Sequence, residues 1–241
     1  MRKIAVVTGA AHGLGAYIAC ELAKEYTVVV HFRSSDKDAN SVLAQIKSDS
    51  ADSIVVRADL TVEQEVDKMF KNVLLKFGRC DLLVNNVGNF LFKPFGKTTN
   101  GEFRDLLESN IYSTLFASRS VLPIMRKQKS GHIINIGAVG AERLIIRENS
   151  MPYFLGKTGI YVLTKTMAWE EAKNGVHINM VSPASMALDI FDNSDFPMGR
   201  EAQYADVMKA IAFLTSDSAY YINGANIEVS GGFVPGMDKA E

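Results

Sequence analysis

The chain has 241 residues, of which 26 are Lys or Arg and 27 Asp or Glu, for a formal net charge of −1. With 47% hydrophobic and 22% charged residues, the composition is that of a globular domain. The balance excludes a polyanion binder and a polybasic membrane binder, so neither nucleic acid nor membrane is expected as a partner.

No run of 18 apolar residues occurs, so no bilayer span is expected. The stretch Ile4–Val7 behind Arg2 and Lys3 is too short for a secretory signal. Cys20 and Cys80 are too few for a disulfide framework, which points to a cytoplasmic protein. His12, His31, His132 and His177 are scattered without paired spacing, so no metal is expected.

In chain order, Ile4–Thr8 reads as a strand and Gly13–Lys24 as a helix carrying Leu14, Ile18 and Leu22 on one face. Thr27–Phe32 is a β-branched strand, Lys37–Ser48 a helix, Ser53–Ala58 a strand and Val62–Phe77 a helix. Asp81–Asn85 is a strand. Phe103–Lys127 reads as one long helix with a bend expected near Pro123. Then follow strand His132–Ile136, helix Pro152–Lys173, strand Val176–Val181, helix Ala205–Thr215 and strand Ala225–Val229. The alternation, with continuously apolar strands, predicts a single doubly wound α/β domain over residues 1–241. Its architecture is a Rossmann fold, with a parallel sheet of about seven strands and helices on both faces. Ligands in such sheets bind beyond the carboxyl ends of the strands.

Several motifs fall there. The first strand runs into Thr8-Gly9-Ala10-Ala11-His12-Gly13-Leu14-Gly15. Glycines let a pyrophosphate reach backbone amides, and the helix N-terminus adds a favourable dipole. The Lys-Ser/Thr of a Walker loop is missing. At the end of the second strand Phe32 stands where an acid would accept ribose hydroxyls, and Arg33 and Ser34 offer donors to a 2′-phosphate. This favours NADP (NADPH) over NAD; the plainer reading of Arg33 is a solvated surface side chain. Asp59-Leu60 and Asn85-Asn86-Val87-Gly88 end the third and fourth strands, positions equally suited to turns and caps.

Tyr153 and Lys157 lie four apart at the start of a helix, on one face. A cation near a tyrosine depresses its pKa and suits it to proton transfer. Tyr161 and Lys165 have the same spacing, about 12 Å further along the axis, where packing is the expected role.

Together the set Thr8-Gly9-x-x-x-Gly13-x-Gly15, Asp59-Leu60, Asn85-Asn86-Val87-Gly88, Asn110, Tyr153-x-x-x-Lys157 and Gly231-Gly232 resembles the short-chain dehydrogenase/reductase family. Within it the chain is most similar to the 3-oxoacyl-acyl-carrier-protein reductase group, supported by Pro197-Met198-Gly199-Arg200, Phe213-Leu214 and Ile222-Asn223-Gly224. The resemblance implies hydride transfer between nicotinamide and a carbonyl carbon, with Tyr153 as proton donor. Lys157 would bind the nicotinamide ribose and Asn110 would hold a relay water. The cofactor residues it implies are Gly9, His12, Gly13, Leu14, Gly15, Arg33, Ser34, Asp59, Leu60, Asn86, Val87, Gly88, Tyr153, Lys157, Pro183 and Met186. The implied substrate is a small-molecule or acyl-carrier-bound carbonyl.

Three departures stand out. The usual substrate-binding serine is Ala138, whose methyl cannot donate, with Ser150 as a candidate substitute. Pro-Gly after the sixth strand is Pro183-Ala184, and Leu188 stands where a threonine is usual. The stretch from Ala184 to Pro197 is short for a substrate lid, which implies a more open pocket. The alternatives are a pteridine reductase, and a catalytically impaired nucleotide-binding regulatory protein. The resemblance also implies a homotetramer or homodimer built on the long helices. Leu106, Leu107, Ile111, Leu115 and Phe116 on one, and Ile160, Leu163, Met167 and Trp169 on the other, exceed what one sheet-facing stripe needs.

Overall fold

The computed structural model describes residues 2–143, 148–186 and 192–234. Strands β1 (Lys3–Val7), β2 (Tyr26–Phe32), β3 (Ile54–Arg57), β4 (Leu82–Asn85), β5 (Gly131–Ile136), β6 (Val176–Pro183) and β7 (Asn226–Val229) form one sheet in the order β3-β2-β1-β4-β5-β6-β7. Every neighbouring pair is parallel. The helices between them are α1 (Gly13–Leu22), α2 (Asp36–Ile46), α3 (Glu63–Phe77), α4 (Asn100–Leu107), α5 (Ser113–Gln128), α6 (Met151–Glu171) and α7 (Tyr204–Leu214). None of the described helices is long and apolar enough to cross a membrane.

The apolar runs have the cause inferred from sequence. Successive strand side chains point to opposite faces, and both faces are covered. Ala5, Val7, Val28 and Val30 join the layer under α1, α2 and α7, whereas Ile4, Val6 and Val29 join the layer under α3, α5 and α6. All seven are buried. Each valine or isoleucine so placed contributes about 1.5–3 kcal/mol.

The single long helix expected over Phe103–Lys127 is instead three pieces. α4 starts at Asn100 on a Thr99–Glu102 capping box, a π turn spans Glu108–Tyr112, and α5 follows. The interruption therefore falls at the π turn, while Pro123 lies inside α5. The side chains buried through the turn and just after it, Ser109, Asn110, Ser113 and Thr114, are polar, so hydrophobic spacing alone gives no sign of it. Strand order reverses between β1 and β4, and the carboxyl ends of β1, β2, β3 and β4 open a crevice there.

Candidate active site

The crevice begins with the glycine loop. Gly9 (φ +61°) and Gly13 (φ +58°) adopt left-handed backbone that disfavours larger residues. A Cβ on Gly15 would lie 2.3 Å from the Gly9 carbonyl oxygen, so the loop closes on itself only with hydrogen there. The loop is tied to the end of β4 twice over. Thr8 Oγ1 accepts from the Asn86 amide at 2.9 Å, and Asn86 Nδ2 donates to the Thr8 carbonyl at 3.1 Å. The side chain of Asn86 is thus committed to holding the loop.

Gly9, His12, Arg33, Ser34, Asp59, Leu60 and Val87, all expected at the cofactor site, line one cleft with His31, Thr61, Asn89 and Ser109. The others are not among the residues lining that cleft. Leu14 is buried in the core, Pro183 ends β6, and Met186 packs against the layer under α1. Arg33 Nη1 stands 3.9 Å from Asp59 Oδ2, both partly exposed. Partial burial pushes the Asp59 carboxyl up. Two hydrogen bonds from Thr61 and the Arg33 charge outweigh it, leaving the group below the usual carboxylate range. Leu188 lies outside the described residues.

At the far end of the cleft α6 presents Tyr153 in its first turn and Lys157 one turn on. Lys157 is 4% exposed, donates from Nζ to the Ile136 carbonyl at 2.9 Å, and stands 5.5 Å from the centre of the Tyr153 ring. Tyr161 and Lys165 repeat that ring distance, 5.4 Å, but Lys165 is exposed and Tyr161 packs beside Ala141, Ile160 and Met180. Burial, not spacing, separates the two pairs. It also corrects the expected electrostatics. Burial pushes the Tyr153 phenol up rather than down, and lowers Lys157 to about 8.

Asn110 sits in the π turn, fully buried. Its Nδ2 donates to the carbonyls of Asn89 and Leu106 at 3.0 and 2.9 Å, while Oδ1 has no hydrogen-bond partner among the described residues. A Cβ on Gly88 would lie 2.4 Å from Asn110 Oδ1 and 3.2 Å from Lys157 Nζ. Gly88 is therefore the point at which the β4 loop, the π turn and α6 converge. An orphaned acceptor beside a buried ammonium makes a polar cradle of the kind a ribose hydroxyl or water fills.

Ala138 is 6% exposed. Ser150, the candidate substitute, donates its hydroxyl to the Glu148 carbonyl at 3.2 Å. The segment after β5 is pinned from β7. Glu228 accepts from the Gly140 amide at 2.6 Å and from Arg143 Nη2 at 2.7 Å. Sequence reasoning also missed Phe90, whose ring meets Tyr153 edge-on at 4.9 Å; an aromatic two residues past the Gly88 turn was the available signal.

Comparison with known proteins agrees with this architecture. A family model described as enoyl-(acyl carrier protein) reductase matches residues 9–234. The chain is 34% identical to 3-oxoacyl-[acyl-carrier-protein] reductase FabG of Staphylococcus aureus (strain Mu50), over 96% of this chain and 98% of that protein. It is likewise 34% identical to the FabG of Staphylococcus epidermidis (strain RP62A), over 96% and 99%. With the 3-oxoacyl-[acyl-carrier-protein] reductase of Synechocystis it shares 34% identity, over 96% and 97%.

Proposed function

Because the chain belongs to the short-chain dehydrogenase/reductase family of oxidoreductases, we propose that it is an NADPH-dependent carbonyl reductase in which Tyr153 is the proton donor. The observation carrying this reading is the convergence of Asn110 Oδ1 and Lys157 Nζ on Gly88, with Tyr153 one turn from Lys157 on α6. The bound dinucleotide supplies the hydride. The chain's residues do the rest. The Gly9–Gly15 loop receives the pyrophosphate, Arg33 and Ser34 the 2′-phosphate, and Lys157 and Asn110 the ribose and a relay water. Tyr153, protonated at neutral pH, delivers its proton to the substrate oxygen as negative charge develops there. The cationic form of Lys157 steadies the phenolate that remains.

The relatives' names make a 3-oxoacyl thioester the first substrate to test. One observation favours a second class. The edge-on Phe90 beside Tyr153 offers an aromatic wall to a flat heteroaromatic ring such as a pteridine. NADPH and NADH oxidation against an oxoacyl thioester and a dihydropteridine decides among these. Turnover of either substrate with NADPH supports the reductase reading. Its absence with both, alongside intact dinucleotide binding, overturns it in favour of a nucleotide-binding regulator.

A further inference from the structure

We propose that His31 is a neutral-imidazole latch that positions the phosphate-binding loop by joining it to the turn after β3. The inference rests on the cofactor reading above and adds a residue to it. The geometry is two-ended. His31 is 1% exposed; its Nδ1 accepts from the Gly9 amide at 3.1 Å, and its Nε2 lies 3.0 Å from the Ala58 carbonyl. A carbonyl can only accept, so Nε2 carries the proton and Nδ1 is the free acceptor. The main chain of His31 reinforces the join, for its carbonyl accepts from Ala10 at 2.8 Å.

The consequence is positional. Gly9 is the residue whose left-handed backbone turns β1 into the glycine loop, and Ala58 precedes Asp59 on the opposite wall. One imidazole thus sets the spacing between the loop for the pyrophosphate and the wall for the adenosine. Burial keeps the ring uncharged, lowering it to about 4 against the partial opposition of the Ala58 carbonyl bond and, less, of Asp59, the charged group facing it. A protonated ring would set an N–H against the Gly9 N–H and open the latch.

The test compares His31→Asn, which keeps one acceptor and one donor, with His31→Phe, which fills space but has neither. The probes are NADP and 2′,5′-ADP by calorimetry, and hydrogen exchange at Gly9 by NMR on the full chain. His31→Phe is expected to raise both dissociation constants about tenfold, with the KM for NADPH rising by more than kcat falls. Asn is expected to restore most of the affinity. The Gly9 amide is expected to be protected in the wild type and to exchange at least tenfold faster in His31→Phe. Imidazole ¹⁵N shifts are expected to report the Nε2-protonated neutral tautomer. Equal Gly9 protection in wild type and His31→Phe, or the Nδ1-protonated tautomer, overturns the latch. Wild-type failure to bind either probe overturns the cofactor reading instead, and Gly9 exchange still decides the latch.

Discussion

Lys157 carries the sharpest tension at the level of single residues. Its ammonium is buried beside Tyr153 and satisfied by one carbonyl. Folding lowers it from the usual 10.5 to about 8, so between those values the unfolded chain binds more protons than the folded one. Stability therefore rises as pH is raised from about 8 to 10.5, while the cationic form that the proposed mechanism uses is lost over the start of the same window. Activity is expected to fall above about pH 8, read as the alkaline limb of kcat/KM. Lys157→Met is expected to raise the Tm at pH 7, since a buried charge is removed, yet abolish turnover. A variant that loses both stability and activity would show that the Ile136 hydrogen bond outweighs the desolvation. Tyr153→Phe should cost about 10²–10⁴ in kcat with dinucleotide affinity kept, measured by steady-state kinetics and fluorescence titration. What sequence alone conveyed at this scale was residue identity. Tyr153, Lys157, Asn110 and the cleft-lining set were legible because their chemistry is local to short motifs. The direction of the Tyr153 shift was not, because burial depends on Phe90 and Phe154 packing around the ring.

Among the elements, the π turn and the pinned segment after β5 were the least legible. Asn110 owes its place to the extra residue in the turn at Glu108–Tyr112, and π turns cluster at functional sites for this reason. Its bond to Asn89 holds the turn on the β4 loop, and its bond to Leu106 ties it back to α4. Asn110→Ala should destabilise the fold by about 1–3 kcal/mol, seen in urea unfolding as a lower midpoint at unchanged slope. The Glu228 clamp crosses 88 residues from β7 to Gly140, beyond the reach of any local pattern. Glu228→Ala is expected to quicken hydrogen exchange from Gly140 to Arg143 and to raise the substrate KM more than that of the dinucleotide. Equal exchange in both proteins would mean that the remaining ties, Thr158 Oγ1 donating to the Ala141 carbonyl and Asn226 Nδ2 donating to Glu142, hold the segment.

For the whole molecule, alternation of apolar strands with amphipathic helices was enough to read the fold class, because a sheet buried on both faces imprints itself on every strand. The outer surface was harder. Leu106, Ile160 and Met167, counted toward an assembly face, are buried within the chain, whereas Trp169 is 87% exposed on α6 with Val162 at 56%. The proposed self-association would cover these; a monomeric mass in light scattering at micromolar concentration would exclude it, and Trp169→Glu should lower a multimeric mass. Acid should act globally too. His31 and His132 are both lowered from 6.5 to about 4 by burial, so the unfolded chain takes up protons first as pH drops. Tm is expected to decline as pH falls from about 6.5 toward 4 and to be level from there up to about pH 8, where the Lys157 window begins, in a calorimetric pH series.

The knot of Thr8, Gly9 and Asn86 sets the order in which the molecule can be made. Its bonds span 77 and 78 residues, and β1 finds one sheet neighbour in β2 but the other only in β4. On the ribosome, the glycine loop must therefore wait, half-walled, until Asn86 leaves the exit tunnel. Closing so long a loop is entropically slow compared with pairing β1 to β2. A nascent chain arrested before Asn86 would lack the bonds that tie Thr8 and Gly9 to the end of β4. On the proposed cofactor reading, nucleotide capture waits for at least the first 86 residues, and nucleotide cannot chaperone the chain before that point.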